Sequence, residues 1–172
     1  MQLNKLIVFT AGLFLMAFSS CKYSKDYEVI NANNKFSISV PSWMKEQEDL
    51  KPGADFQYAN RFRNIYAIGE KLDAVTSGQG RSQVMANNLN VLRKSLKNAL
   101  VTDSIDIKAN EEIKGTRVEM YGKMSGENIY FTEVLFEGKK GLYHISVWTR
   151  SEDRKLHFKQ DINNIVASFK EL

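Results

Sequence analysis

Apolar and polar positions change rhythm repeatedly along this chain, and each change marks an element. Leu6 to Phe18 is an almost unbroken apolar run behind one basic residue, Lys5; it gives way to small Ser19 and Ser20 and then Cys21. A run of that length is too short to cross a bilayer, which takes about 20 apolar residues, and its layout is that of an export signal. Lys22 to Asn34 is polar, ends in Asn31-Ala32-Asn33-Asn34, and reads as a tether. Alternation then sets in: Phe36, Ile38 and Val40 fall on one face of a strand that Pro41 ends. Phe56 and Tyr58 alternate in a second strand, and Arg61 to Leu72 gives a third after the turn-like Ala59-Asn60. Met85, Leu89, Leu92 and Leu96 recur at helical spacing and predict an amphipathic helix from about Ser82, its N-cap, to Leu100.

The second half predicts four antiparallel strands joined by glycine-containing turns at Lys114-Gly115, Ser125-Gly126 and Gly138 to Gly141. Ile129 to Glu137 and Leu142 to Thr149 are apolar at both odd and even positions, so both strands are expected to be covered on two faces. A closing helix follows from about Glu152 to Lys170. Ser151 caps it, Glu152 and Asp153 suit its positive end, and Phe158, Ile162, Ile165 and Phe169 form its buried stripe. The expected fold class is therefore α+β: an antiparallel sheet of about six to seven strands covered by helices, an α-β-α sandwich.

Composition adds limits. Cys21 is the only cysteine, so no disulfide forms within the chain and the core alone must hold it. The expected division is a signal peptide over 1–20, a lipidated cysteine with its polar tether over 21–34, and one folded domain over 35–172. The formal charge is +4, and the charges are interleaved rather than blocked. Arg93-Lys94-Ser95-Leu96-Lys97 is the densest basic cluster, but it lies on a helix with no aromatic stacking platform beside it. It reads as a solvated face, and no nucleic-acid partner is expected.

Ala17-Phe18-Ser19-Ser20-Cys21 resembles the lipobox of bacterial lipoproteins, in which a peptidase cuts before a cysteine that then carries acyl chains such as palmitate. Phe18 departs from the usual Leu, Val or Ile and is similar to the relaxed Bacteroidetes version. The resemblance makes Cys21 the lipidation site and the membrane a partner through the lipid anchor, since several acyl chains bind far more firmly than one. Lys22 stands where an aspartate would resemble an inner-membrane retention signal, and no acidic cluster resembling a surface-export tag follows. The implied location is the outer membrane, facing the periplasm.

Three stretches carry a second resemblance. Phe36-Ser37-Ile38-Ser39-Val40-Pro41-Ser42-Trp43, Gly141-Leu142-Tyr143-His144-Ile145-Ser146-Val147-Trp148-Thr149 and Ile162-Asn163-Asn164-Ile165-Val166-Ala167-Ser168-Phe169 look like the opening strand, last strand and terminal helix of the PsbP, DcrB and Mog-type superfamily. That family implies an antiparallel sheet between helices and a binding role. Its members assist photosystem assembly, bind a small GTPase or chaperone hydrophobic segments, and share no catalytic residues. The resemblance therefore carries over no functional residue.

No catalytic residue, cofactor site or metal site stands out from the pattern. His144 shares a strand face with Leu142, Ser146 and Trp148 and reads as a packed, hydrogen-bonded histidine rather than a base. His157 has Asp153 and Asp161 four residues to either side but lacks a third strong ligand, so surface ion pairing is expected. Ser77-Gly78-Gln79-Gly80-Arg81-Ser82 could hold an anion, but it lacks the further glycine and the lysine of a phosphate loop and reads as a connector. Tyr130, Tyr143 and Trp148 read as core. The expected function is a non-enzymatic, outer-membrane-anchored module that binds an envelope protein. An exported chaperone or immunity-like protein shielding a hydrophobic segment is the alternative, and a hydrolytic enzyme ranks last.

Overall fold

A computed structural model describes residues 26–73, 79–102 and 104–172. The export signal, Cys21 and the first residues after it lie outside that range. Within it, the expected tether is corrected at once, because Tyr27–Ala32 is a strand, β1, paired antiparallel with β2, Phe36–Pro41. The asparagines that suggested a linker make the turn: Asn33 and Asn34 both take positive φ, at 52° and 57°. Asparagine tolerates that region better than other side chains. Asn31 fixes the turn by accepting from the Asn34 backbone N–H at 2.8 Å and donating to the Asn34 side chain at 2.9 Å.

The remaining elements are β3 Lys45–Glu46, β4 Phe56–Asn60, β5 Ile65–Lys71, α1 Arg81–Ser95, β6 Lys97–Val101, β7 Ile105–Lys108, β8 Lys114–Met124, β9 Glu127–Gly138, β10 Gly141–Arg150, α2 Glu152–His157, α3 Lys159–Ala167 and β11 Lys170–Glu171. The large sheet is antiparallel with order β3-β4-β5-β10-β9-β8, and β6 and β7 lie end to end along the outer edge of β8. Its eight strands exceed the six to seven expected, because short β3, β6 and β7 carry too few alternating residues to announce themselves. A second sheet, β1-β2-β11, is separate.

The main core lies where α3 and the small sheet cover one face of the large sheet. Phe36, Ile38 and Val40 of β2 meet Val134 and Phe136 of β9, Tyr143, Ile145 and Val147 of β10, and Ile162 and Ile165 of α3, all buried. The cover is thus a helix plus a small sheet rather than helices alone. The closing helix is two helices broken at Phe158, which ends α2 and begins α3. Ser151 does cap α2, accepting from the Arg154 N–H at 3.4 Å. Phe169 lies beyond the last helical residue, yet it is buried with its ring 4.5 Å from that of Phe136.

On the opposite face, α1 lays Val84 and Met85 over Val118, Leu135 and Leu142, and Leu96 joins Met120, Ile129 and Phe131. This helix is shorter than expected, since Leu96 already has extended backbone and β6 takes over. Gly80 rather than Ser82 occupies the N-cap, with no side-chain cap bond.

Candidate functional site

α1 does not seal its face of the sheet. Between the C-terminal half of α1 and strands β5, β9 and β10 lies an open cavity of about 410 Å³. Its walls are apolar: Leu50, Ile68, Val91, Leu92, Phe131 and Trp148. The Trp148 indole is fixed between the rings of Tyr66, at 5.3 Å, and Phe131, at 5.8 Å.

The floor is polar, and strand register builds it. On β10, Leu142, His144, Ser146 and Trp148 point to this side while Tyr143, Ile145 and Val147 enter the main core. Antiparallel pairing sets Glu70 of β5 directly opposite His144, and Glu133 of β9 directly opposite Ser146. Cross-strand neighbours on one face are within reach of each other. His144 Nε2 donates to Glu133 Oε2 at 2.6 Å and Nδ1 to Glu70 Oε1 at 3.2 Å, while the Ser146 hydroxyl donates to Glu133 Oε1. Lys51 closes the chain with an ion pair to Glu70.

Burial would by itself push the His144 imidazole down, but Glu133 and then Glu70 outweigh it and raise its pKa to about 9. Burial would likewise raise Glu70, and His144 and Lys51 hold it near 2 instead. His144 is thus an imidazolium at neutral pH with both N–H groups donated. It cannot take a further proton, and Ser146 faces a carboxylate rather than an imidazole, so no serine–histidine nucleophile forms here. The packed, hydrogen-bonded histidine expected from sequence is what the strand pairing makes. Glu70 and Glu133, not singled out in the sequence, supply the charge.

A second exposed feature is the β4–β5 turn. Asn60 holds it by donating to the Trp43 carbonyl at 2.8 Å and accepting from the Arg63 N–H at 2.9 Å, and Asn64 takes positive φ. The turn projects Phe62, which is 92% exposed. Beside it, the Arg63 guanidinium lies 4.6 Å from the centre of the Trp43 ring, which leans on Phe158. Phe62, Trp43, Arg63, Arg154 and His157 border a depression of about 430 Å³. The isolated Phe62 in a polar stretch was the available signal in the sequence.

Of the other candidates, His157 and Asp161 line the Phe62 depression and the rest lie apart from it. Asp161 is buried and accepts from the Tyr27 hydroxyl at 2.6 Å, while the His157 ring meets Phe158 edge-on. Among the described residues no three His, Cys, Asp or Glu side chains gather as a metal site requires. Arg81 pairs with Asp106 at 3.1 Å and Glu137 at 3.7 Å; 77–78 of its loop lie outside the described residues. Arg93, Lys94 and Lys97 are exposed, as a solvated face should be. Tyr143 is fully buried; Tyr130 is half-buried and stacks on Tyr121.

An α+β domain with a long antiparallel sheet, one helix on one face and a C-terminal helix beside a small sheet on the other is the PsbP/Mog1-type fold, and this chain has it. The solution structure of cyanobacterial PsbP (CyanoP) from Synechocystis matches with a TM-score of 0.58 over 86% of this chain and 94% of that one, at 11% identity. The Ran-binding protein Mog1p of Saccharomyces cerevisiae matches with a TM-score of 0.58 over 86% and 96%, at 12% identity. PA94 of Pseudomonas aeruginosa, a protein of unknown function, gives 0.51 over 83% and 94%, at 11% identity. At these identities the likeness is one of fold. No family model and no curated protein matches the sequence.

Proposed function

We propose that this chain is an outer-membrane lipoprotein, anchored through Cys21 and facing the periplasm, whose folded part is a non-enzymatic module that binds another envelope protein. The observation that carries the binding role is Phe62. Phe62 stands 92% exposed on a turn pinned by the two bonds of Asn60, and it adjoins Trp43 at a depression of about 430 Å³, so an aromatic cluster rather than a single ring meets solvent there. Its neighbours Trp43 and Arg63 belong to the residue types that dominate binding energy at protein interfaces. Arg154 and His157 rim the same depression, so the matching surface is an apolar socket with an acidic edge. The likeness to Mog1p, itself a Ran-binding protein, favours a protein partner without naming one. The anchor rests on Lys5, the apolar run and Ser19-Ser20-Cys21.

Two experiments test the two halves. Labelled palmitate should enter the wild-type chain and not Cys21→Ala; a wild type that takes up no label ends the lipoprotein reading. A photo-crosslinking residue in place of Phe62, in the native envelope, should give one defined protein adduct, and Phe62→Asp should abolish its co-purification. The same residue at Val29, also exposed, should not give that adduct. Equal adducts at both positions, or none at Phe62, would refute the surface.

A further inference from the structure

The cavity beneath α1 has the volume and lining of a small-molecule site, since such pockets run from about 300 Å³ upward with apolar walls and a few placed polar groups. What distinguishes this one is the direction of its hydrogen bonds. His144 donates both ring N–H groups to carboxylates, and the Ser146 hydroxyl donates to Glu133. Every donor on the floor is therefore engaged. Each Glu133 oxygen has accepted one bond and keeps a second lone pair, and the Ser146 oxygen keeps its own. Glu133 is 3% exposed and Ser146 4%, so little water is at hand to fill that capacity. Lys51 is the cation facing the cavity from the rim, and it is already paired with Glu70. Asn88 and Ser95 of α1 are the remaining polar side chains there. The walls add the Trp148 and Phe131 rings, which attract cations as well as apolar bodies.

We propose that this cavity binds a small amphipathic molecule that enters with an apolar body and ends in an ammonium or amine, its N–H groups donated to Glu133 and Ser146. An acid of the same shape would bring acceptors to a floor that has only acceptors left. Selection between the two heads is the signature of the site, and it is separate from the Phe62 surface.

The test uses the full chain in lipid nanodiscs, carrying Trp43→Phe so that Trp148 is the sole indole reporter, with empty discs as the partition control. Titration with 4-phenylbutylammonium should shift the Trp148 emission saturably, and 5-phenylpentanoate should bind at least tenfold more weakly. Ser95→Phe, an exposed position on the cavity wall, should fill the space without adding an indole and abolish the response with the melting temperature unchanged. Ser95→Ala should retain it. Equal or tighter binding of the acid would make Lys51 the selecting group and overturn the proposal. So would ammonium binding that survives Ser95→Phe, or no binding of either probe at millimolar concentration.

Discussion

His144 gives the sharpest test of the polar floor, because its charge should be visible in how stability depends on pH. Its pKa rises from an ordinary 6.5 to about 9 on folding, held there by Glu133 and Glu70 against its own burial. Between those values the folded state keeps a proton that the unfolded state has lost. Stability must therefore fall as pH rises through that window, and the contribution is complete below about 6.5 and gone above about 9. At about 1.4 kcal/mol per pH unit, the loss is on the order of 3 kcal/mol, a large share of a domain's net stability of roughly 5–15 kcal/mol. Glu70 acts with the opposite sign: held near 2, it contributes above about 4.5 and loses that contribution as pH falls toward 2. The pair together places the optimum of this cluster between about pH 4.5 and 6.5. Urea unfolding of wild type and His144→Gln at pH 6.5, 7.5 and 9 isolates the histidine. The variant should be less stable throughout, because Glu133 then lies buried without its cation, but its stability should change far less across the window. Parallel pH profiles for the two proteins would show that His144 folds neutral, and the donor pattern of the cavity floor would be wrong.

Two further outcomes concern the opposite face. Phe169→Ala should cost about 3–5 kcal/mol, since its ring is buried against Phe36, Phe136 and Tyr143, whereas exposed Lys159→Ala should stay within about 0.5 kcal/mol; equal denaturant midpoints would refute the packing. Gly115→Ala should cost about 1–3 kcal/mol, because a Cβ there would stand 2.7 Å from the Phe136 ring; an unchanged midpoint would mean that β8 and β9 do not pair in this register.

Local pattern was enough to read the centre of the fold. Residues alternating from Ile129 to Phe136 and from Leu142 to Trp148 are apolar on both faces; the main core covers one face of both strands, and α1 covers the other in part, leaving the cavity over Phe131 and Trp148. The four-residue stripe of the closing helix is buried throughout, although the helix breaks at Phe158. Elements without enough residues to display a period were lost: β6 was absorbed into the preceding helix because Leu96 continues the leucine spacing, and β1 was hidden behind asparagines that serve a turn rather than a linker. The polar floor was only half legible. Glu133 sits between Phe131 and Leu135 on one strand face, and a carboxylate in an apolar row announces a buried partner. Which partner it finds depends on the register of β9 on β10, and Glu70 lies 74 residues from His144. Pairing over that distance is decided by the whole sheet.

The β1–β2 hairpin has a mechanical consequence. Tyr27 opens β1, and its hydroxyl is latched to α3, donating to Asp161 at 2.6 Å and accepting from Asn164 at 2.9 Å. Tension arriving through residue 26, as it would from an anchor upstream, meets the bond from the Ser42 N–H to the Asp26 carbonyl at 2.8 Å and then that latch before it meets any part of the large sheet. Once both yield, the Tyr27–Pro41 pair opens next and the strand peels residue by residue toward Asn33. Freeing those six residues lengthens the leash by roughly 20 Å. The main core gives up little in the process, because Ala32 is the only residue of β1 that is fully buried. Loaded through such an anchor, the strand would extend as a mechanical fuse while the cavity and the Phe62 surface keep their shape, and Tyr27→Phe should lower the force at which it opens.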